Sequence, residues 1–248
     1  MAELAEFDGL FIRATTSIDD YTYRFARRAL QEGMPVIDDP VSMIRCTNKV
    51  YLHELMESHG VPVPPTLMLA DDEDLAKAEK QLGWPMVVKI PDGSFSRGVH
   101  KVADSQALKK LTDELFEDTD LLLAQKFMPT DFDWRVGVLD GEPLFVCQYQ
   151  MAKGHWQIIK HGTNGYEEGR FKTLAIADAP PRVIEIALRA ARAIGSGFYG
   201  VDIKESGDTI AVIEVNDNPN LEHGIEDQVG KEDIWSRILQ WFIKRIDE

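Results

Sequence analysis

The residues with the clearest chemical potential form two short runs, Gly200-Val-Asp-Ile203 and Ile213-Glu-Val-Asn-Asp-Asn-Pro219. Read as strands of one hairpin, they place Glu214 and Asn216 two residues apart on one face, about 7 Å from each other. Val201 and Ile203 belong on the core side, as do Ala211, Ile213 and Val215. The apolar sets share a face if Ile203 pairs with Ala211 across a three-residue turn, Ser206-Gly207-Asp208, with Gly207 suited to a positive φ. That register sets Asp202 opposite Val212, beside Glu214 and Asn216. Two carboxylates and a carboxamide are an oxygen-only set suited to Mg²⁺, a hard cation that shares its shell with phosphates and water. The bland alternative is a solvated polar sheet face. Against it, Asn216-Asp-Asn-Pro-Asn220 opens the strand end directly into a polar loop.

Several cations stand where an anion would suit them. Lys89 ends a Val-Val-Lys strand expected to be buried on both sides, and a buried ammonium needs a partner such as a phosphate. The Asp92-Gly-Ser-Phe-Ser-Arg-Gly98 loop follows, with backbone N–H groups and the hydroxyls of Ser94 and Ser96 available to close over phosphates, and Gly98 at its end. Lys49 falls in the first turn of a helix, where the dipole disfavours a cation unless an anion lies nearby. Asp133 and Arg135 share a strand face by their i, i+2 spacing. An acid there suits ribose hydroxyls and an arginine a transferring phosphoryl group; a surface ion pair is the alternative. Trp156, in an irregular stretch with Lys153 and His155, reads equally as a lid or a core anchor.

The elements that position these residues are legible in outline. Phe7–Ala14, Asp20–Glu32 and Met34–Ile37 read as one βαβ unit, with Asp38-Asp39-Pro40 as a turn. A helix follows over Thr47–His59, capped by Thr47 or Asn48, then an extended connector at Val61–Pro65. Next come an alternating unit (strand Thr66–Ala70, helix Asp72–Leu82, strand Pro85–Ile90, strand Val99–Val102, helix Ser105–Glu117, strand Leu121–Phe127) and a hairpin, Phe132–Leu139 with Glu142–Gln150, turned at Asp140-Gly141. Residues 153–170 read as polar and irregular. Pro181–Ile194 is an amphipathic helix presenting Ile184, Ala187, Leu188 and Ala191, and Lys231–Ile246 a final helix burying Ile234, Trp235, Ile238, Leu239, Phe242 and Ile243.

Composition narrows the classes. The 248 residues carry a formal charge of −15 with 44% hydrophobic residues, which indicates a globular chain and disfavours broad basic nucleic-acid binding. A basic protein or peptide partner remains compatible. No apolar stretch approaches a membrane helix, and residues 1–15 lack the apolar block of a signal peptide. Cys46 and Cys147 form no CxxC or zinc pattern and read as buried reduced thiols of a cytoplasmic protein. P-loop, GxGxxG, HExxH, Gly-x-Ser-x-Gly and protein-kinase signatures are all missing.

The order of the pieces carries a further signal: lysine, strand lysine, Gly/Ser loop, Asp-x-Arg, Asp, Glu-x-Asn. Through Val87–Gly98, Asp133-Trp-Arg135 and Val212–Asn220, the chain resembles the ATP-grasp superfamily, most closely RimK-like carboxylate–amine ligases of the glutathione synthase and ribosomal-protein glutamate ligase type. The resemblance implies an α+β fold with two subdomains gripping ATP: residues 1–45 as a shortened N-terminal βαβ unit, 46–127 as the first grasp subdomain and 128–248 as the second. It implies Lys49 and Lys89 on the phosphates under the Asp92–Gly98 loop. Gln125, Lys126 and Phe127 would form an adenine hinge, and Asp133 would approach the ribose. Asp202, Glu214 and Asn216 would hold two Mg²⁺, or Mn²⁺, with Arg135 and Asn218 near the transferred groups. The implied partners are ATP with carboxylate and amine substrates (amino acid, peptide or protein tail), and a homo-oligomer is compatible. A phosphotransferase and a non-catalytic nucleotide-binding module are the alternatives. Gln125 stands where an acid is common, and Gln148 and Gln150 where glutamate-adding relatives carry basic groups, which argues against glutamate as substrate.

Overall fold

The structure is a computed structural model that describes residues 2–92, 98–162 and 165–247. Its N-terminal unit is smaller than the sequence predicts: β1 (Leu10–Phe11), α1 (Tyr21–Gln31) and β2 (Val36–Ile37), the strands being a two-residue parallel pair. The ladder ends at the bond from Ile12 N to Ile37 O, 2.7 Å, because Arg13 and Ala14 turn away to bond the loop after residue 216. Asp39-Pro40 starts a helix rather than a turn. In α2 (Pro40–Thr47), the Asp39 carboxylate caps Val41 N and Ser42 N, and Pro40 occupies the first helical position, where its missing N–H costs nothing. Asn48 then ends α2 and caps α3 (Lys49–Ser58) by accepting from Tyr51 N.

The next unit is β3 (Thr66–Leu69), α4 (Asp72–Leu82), β4 (Met86–Lys89), β5 (Val99–Val102), α5 (Ser105–Leu115) and β6 (Leu122–Lys126), close to the predicted spans. Its four strands make an antiparallel sheet in the order β3-β6-β4-β5. Alternation divides the sheet. Met86, Val88, Leu122 and Ala124 pack against Leu75, Ala78, Leu82 and Leu108 of the two helices. Burying each large side chain there stabilises by about 1.5–3 kcal/mol. Val87, Lys89, Leu123 and Gln125 point the other way, into a cleft.

The second sheet comprises β7 (Phe132–Leu139), β8 (Glu142–Gln150), β11 (Phe171–Leu174), β12 (Phe198–Ser206) and β13 (Thr209–Asn216), ordered β11-β8-β7-β12-β13, and a separate hairpin is formed by β9 (Ile159–Gly162) with β10 (Gly165–Glu168). The β7–β8 turn has positive φ at both Asp140 (52°) and Gly141 (77°), as a two-residue hairpin requires. The segment read as irregular thus contains a hairpin, and β11 adds an unpredicted edge strand; exposed residues along both erase the alternation that marks a strand. The helix α6 (Pro181–Ile194) covers one face together with α2 and α3, around Val136, Val201, Ile203 and Val215.

The other face is shared. At one end Phe145, Cys147 and Phe198 lie under α7 (Glu232–Ile246), while Arg135, Asp202 and Lys204 face the cleft. On α7 the sheet-facing stripe is Ile234, Ile238 and Trp241; Trp235, Leu239 and Ile243, expected to be buried, are exposed. The apolar arc of α7 is wider than the sheet end it covers. The Val61–Pro65 connector ties the two sheets, Pro62 O accepting from Val212 N and Pro65 O from Lys126 N, each at 2.8 Å.

Candidate active site

A cleft of about 1170 Å³ lies between the two sheets. Its acidic wall is the β12–β13 hairpin, whose register differs from the predicted one. Ser206 pairs with Thr209, so Gly207 (φ +57°) and Asp208 form a two-residue turn, and Ile203 pairs with Val212 rather than Ala211. Continued unbroken, that register would turn Glu214 toward the core. A bulge between Asp202 and Ile203 leaves Ile213 unpaired and sets Asp202 directly opposite Glu214. One extra residue moves every later side chain to the other face. The core side of β13 is therefore Ile210, Val212 and Val215, with Ala211 and Ile213 outside that core. Asp202, Glu214 and Asn216 meet on the cleft face as expected, and Asn216 Nδ2 donates to Asp202 Oδ2 at 3.2 Å.

This wall is already paired internally. Arg135 grips Asp202 with two hydrogen bonds of 2.7 Å, Nε to Oδ1 and Nη2 to Oδ2. Burial alone would lower the Arg135 pKa; the adjacent Asp202 carboxylate raises it above the ordinary value. Asp133 Oδ1 accepts from Lys204 Nζ at 2.6 Å, and Thr130 Oγ1 donates to the same oxygen. Burial raises the Asp133 carboxyl above its usual range, and Lys204 opposes that shift. Lys204 went unnoticed in the sequence, although its i, i+2 spacing from Asp202 places it on the same face.

The opposite wall carries Lys89, buried at 9% exposure, with its Nζ 2.8 Å from Gln125 Oε1. Burial pulls its pKa down to about 8; Glu214 across the cleft raises it, and Lys49 and Lys204 lower it further. Gln125 is thus turned onto Lys89 and, through Nε2, onto Thr66. At the cleft edge Lys126 uses its backbone N–H on Pro65 O. The Phe127 ring meets Trp156 edge-on at 5.8 Å, and Lys101 Nζ sits 4.6 Å from the Phe127 centroid. Trp156 therefore lines the cleft at its Phe127 end; neither it nor Lys101 belongs to a buried core cluster.

Lys49 begins α3, where its N–H bonds Pro91 O and Asn48 Nδ2 reaches Asp92 Oδ1. Ser94 and Ser96 lie outside the described residues. Gly98 closes their loop at φ +71°, its carbonyl accepting from Ile90 N, and a Cβ there would lie 2.4 Å from the Ile90 side chain. Asn218 is half-buried and held by Arg13 Nη1, which donates to its Oδ1, and by Ala14 O, which accepts from its Nδ2, each at 2.6 Å. Arg13 thereby lines the cleft; with its partner 205 positions away, no local pattern marks it. Gln148 and Gln150 pair with Trp134 and Phe132 on the face away from Arg135, so they do not line the cleft and have no bearing on substrate charge there; Tyr149 between them does line it.

The donor chemistry fits Mg²⁺. Among the described residues, no three His, Cys, Asp or Glu side chains cluster as a closed metal cage. Two carboxylates and one carboxamide leave coordination positions for phosphate and water, as Mg²⁺ prefers. Among the described residues the Glu214 carboxylate forms no hydrogen bond or ion pair.

Two antiparallel sheets holding such a cleft define an ATP-grasp fold. D-alanine--D-alanine ligase from Bacillus anthracis, complexed with ATP, superposes with a TM-score of 0.76 at 18% identity, covering 99% of this chain and 84% of that one. The RimK-like ATP-grasp domain profile matches residues 46–242, and the chain belongs to that family. It is 29% identical over 201 residues to alpha-aminoadipate--LysW ligase LysX of Saccharolobus solfataricus (79% of this chain, 70% of LysX). It is 27% identical over 241 residues to ribosomal protein bS6--L-glutamate ligase of Salmonella paratyphi B (96% of this chain, 77% of that protein). Among the described residues no helix is long and apolar enough to cross a membrane.

Proposed function

We infer that the cleft activates a carboxylate with ATP and passes its acyl group to an amine. The protein is an ATP-dependent carboxylate–amine ligase of the ATP-grasp type. The observation that carries this reading is the convergence of Asp202, Glu214 and Asn216 on one wall opposite the buried Lys89 ammonium on the other.

Lys89 and Lys49 would hold the nucleotide's phosphates beneath the Asp92–Gly98 loop. The strand end at Lys126 and Phe127 would seat the base between Val87, Leu123 and the Trp156 ring, with Asp133 toward the ribose. Asp202, Glu214 and Asn216 would hold two Mg²⁺ ions, or Mn²⁺ in their place, and the bound cation supplies neutralisation of the polyphosphate charge. The substrate carboxylate attacks the γ-phosphorus, forming an acylphosphate and releasing ADP. The amine then attacks the acyl carbon, phosphate departs, and the amine proton passes to solvent. Arg135, beside this path, offers its guanidinium to the oxygens of the transferred group, and Asn218 holds the Arg13–Ala14 segment at the acyl end. Closure of the loop and of residues 153–170 would protect the acylphosphate from water. The substrates fit the amino acid, peptide or protein-tail class.

A phosphate-release screen with Mg-ATP over amino acids and short peptides, followed by mass spectrometry, tests the reading. Amide product with stoichiometric ADP and phosphate is expected. A stable phosphorylated product that accumulates without amine would instead make the protein a phosphotransferase.

A further inference from the structure

The side chain of Gln125 stands in the cleft wall, one strand across from Lys89. β6 lies between β3 and β4, so Gln125 has Val87 on one side and Thr66 on the other, while Lys89 faces Leu123 two positions along. The carboxamide leans along the sheet to Lys89 and bridges it to Thr66.

Chemistry fixes its orientation. An ammonium only donates, so the atom toward Lys89 Nζ must be Oε1, and the contact is 2.8 Å. Thr66 Oγ1 donates its proton to Pro64 O at 2.8 Å, leaving lone pairs that accept from Gln125 Nε2 at 3.0 Å. A chain of three hydrogen bonds thus runs from the backbone of the inter-sheet connector to the lysine. Both polar ends of the carboxamide are engaged.

We propose that Gln125 is the positioning residue of the phosphate-binding lysine and not a reader of the nucleotide base. The proposal rests on the reading that the cleft binds a nucleoside triphosphate. Because the carboxamide is neutral, it holds Lys89 without quenching its charge. The ammonium faces Glu214 and Asp133 from the second sheet, with Lys204 beside them and Lys49 and His53 from α3. Its full charge is left for an incoming polyphosphate. A carboxylate at position 125 would keep the geometry but compete with the phosphates for the same ammonium.

The test is calorimetric binding of three probes with Mg²⁺: AMP-PNP, its guanosine counterpart and inorganic tripolyphosphate. The proteins are the wild type, Gln125→Leu, Gln125→Glu and Thr66→Val, each checked for folding by circular dichroism. Gln125→Leu is expected to weaken all three probes by about tenfold, the worth of a hydrogen bond to a charged group, with the ratio between the two nucleotides unchanged. Thr66→Val should do the same to a smaller extent.

Gln125→Glu is close to isosteric and keeps the test decisive if the leucine variant fails to fold. It should also weaken all three probes at pH 7. The pH series separates positioning from a structural role. In the wild type, affinity for tripolyphosphate falls from pH 7 to pH 9 as Lys89, with a pKa of about 8, loses its proton. The glutamate variant raises that pKa and moves the fall to higher pH. Two results overturn the proposal: a changed nucleotide ratio with tripolyphosphate untouched, or a Gln125→Glu protein that matches the wild type with every probe at both pH values. Wild-type protein that binds none of the three probes would overturn the nucleotide reading itself.

Discussion

The two walls of the cleft hold their charges differently. On the cleft face of the five-stranded sheet, Arg135 is matched to Asp202, at side-chain exposures of 17% and 12%, and Lys204 to Asp133, at 12% and 13%. On the four-stranded sheet, Lys89 lies at the end of an apolar strand with its Nζ hydrogen-bonded to the neutral carboxamide of Gln125. Burying a charge is costly unless it is paired, so the first arrangement is stable without a ligand and the second is improved by one. Binding Mg-ATP therefore asks different things of the two walls. In the proposed site Lys89 would gain an anionic partner in the phosphates. Asp202 would have to share its remaining lone pairs, or give up part of its Arg135 bonds, to meet a cation.

That contrast can be broken experimentally, beginning with the acidic wall. Glu214→Ala should reduce Mg-ATP turnover on the order of a hundredfold or more, because several kcal/mol of charge stabilisation depend on the metal. Circular dichroism should be unchanged; undiminished turnover would remove Glu214 from the metal set. Next in size is a pair of stability measurements by urea denaturation. Arg135→Met leaves the buried Asp202 charge without its cation, the Asn216 amide being a neutral donor, and should cost roughly 3–5 kcal/mol. Lys89→Met removes a buried charge whose partner is neutral, so it should cost less than about 1.5 kcal/mol while still weakening ATP binding. Equal losses from the two variants would erase the distinction between the walls.

A pH series sharpens the same point. The folded-state pKa of Lys89, about 8, lies below its ordinary 10.5, so the unfolded chain binds more protons between those values. The contribution of Lys89 to stability therefore rises as pH increases from about 8 to about 10.5. The stability of the wild type relative to Lys89→Met should move in favour of the wild type across that window, and a movement the other way would contradict the burial argument. The smallest effect is expected at the hinge. Lys101→Ala removes cation–π contacts with Phe127 and Trp156 worth about 0.5–1 kcal/mol. It should weaken nucleotide affinity only severalfold, and an abolished affinity would give Lys101 a direct role.

How much of this was legible in the sequence depended on how local the cause was. The helices α4 and α6 and the β7–β8 hairpin follow from apolar periodicity and from Asp140-Gly141, all readable within a few residues. α2 was hidden because Asp39-Pro40 suits a turn as well as a helix start, and the packing of α2 against α1, α6 and β13 decides between them. The acidic hairpin shows the intermediate case. Its apolar pattern put Asp202, Glu214 and Asn216 on the correct face but through the wrong pairing, since alternation does not reveal a two-residue turn compensated by a bulge.

The partners of the site residues were least legible. Arg135 meets Asp202 only because β7 lies beside β12, and Arg13 meets Asn218 only because the N-terminal unit folds back over the loop after β13. Gln125 could be placed near the nucleotide by resemblance, but its attachment to Lys89 depends on β6 lying between β3 and β4.

The central claim is that Asp202, Glu214 and Asn216 form a divalent-cation site that works on the nucleotide gripped by Lys89. Calorimetric titration with AMP-PNP, with and without Mg²⁺, addresses it most directly when wild type and Glu214→Gln are compared. Mg²⁺ should tighten AMP-PNP binding to the wild type, and that gain should vanish in Glu214→Gln while the Mg²⁺-free affinity stays close to the wild-type value. An undiminished Mg²⁺ effect in Glu214→Gln would contradict the account.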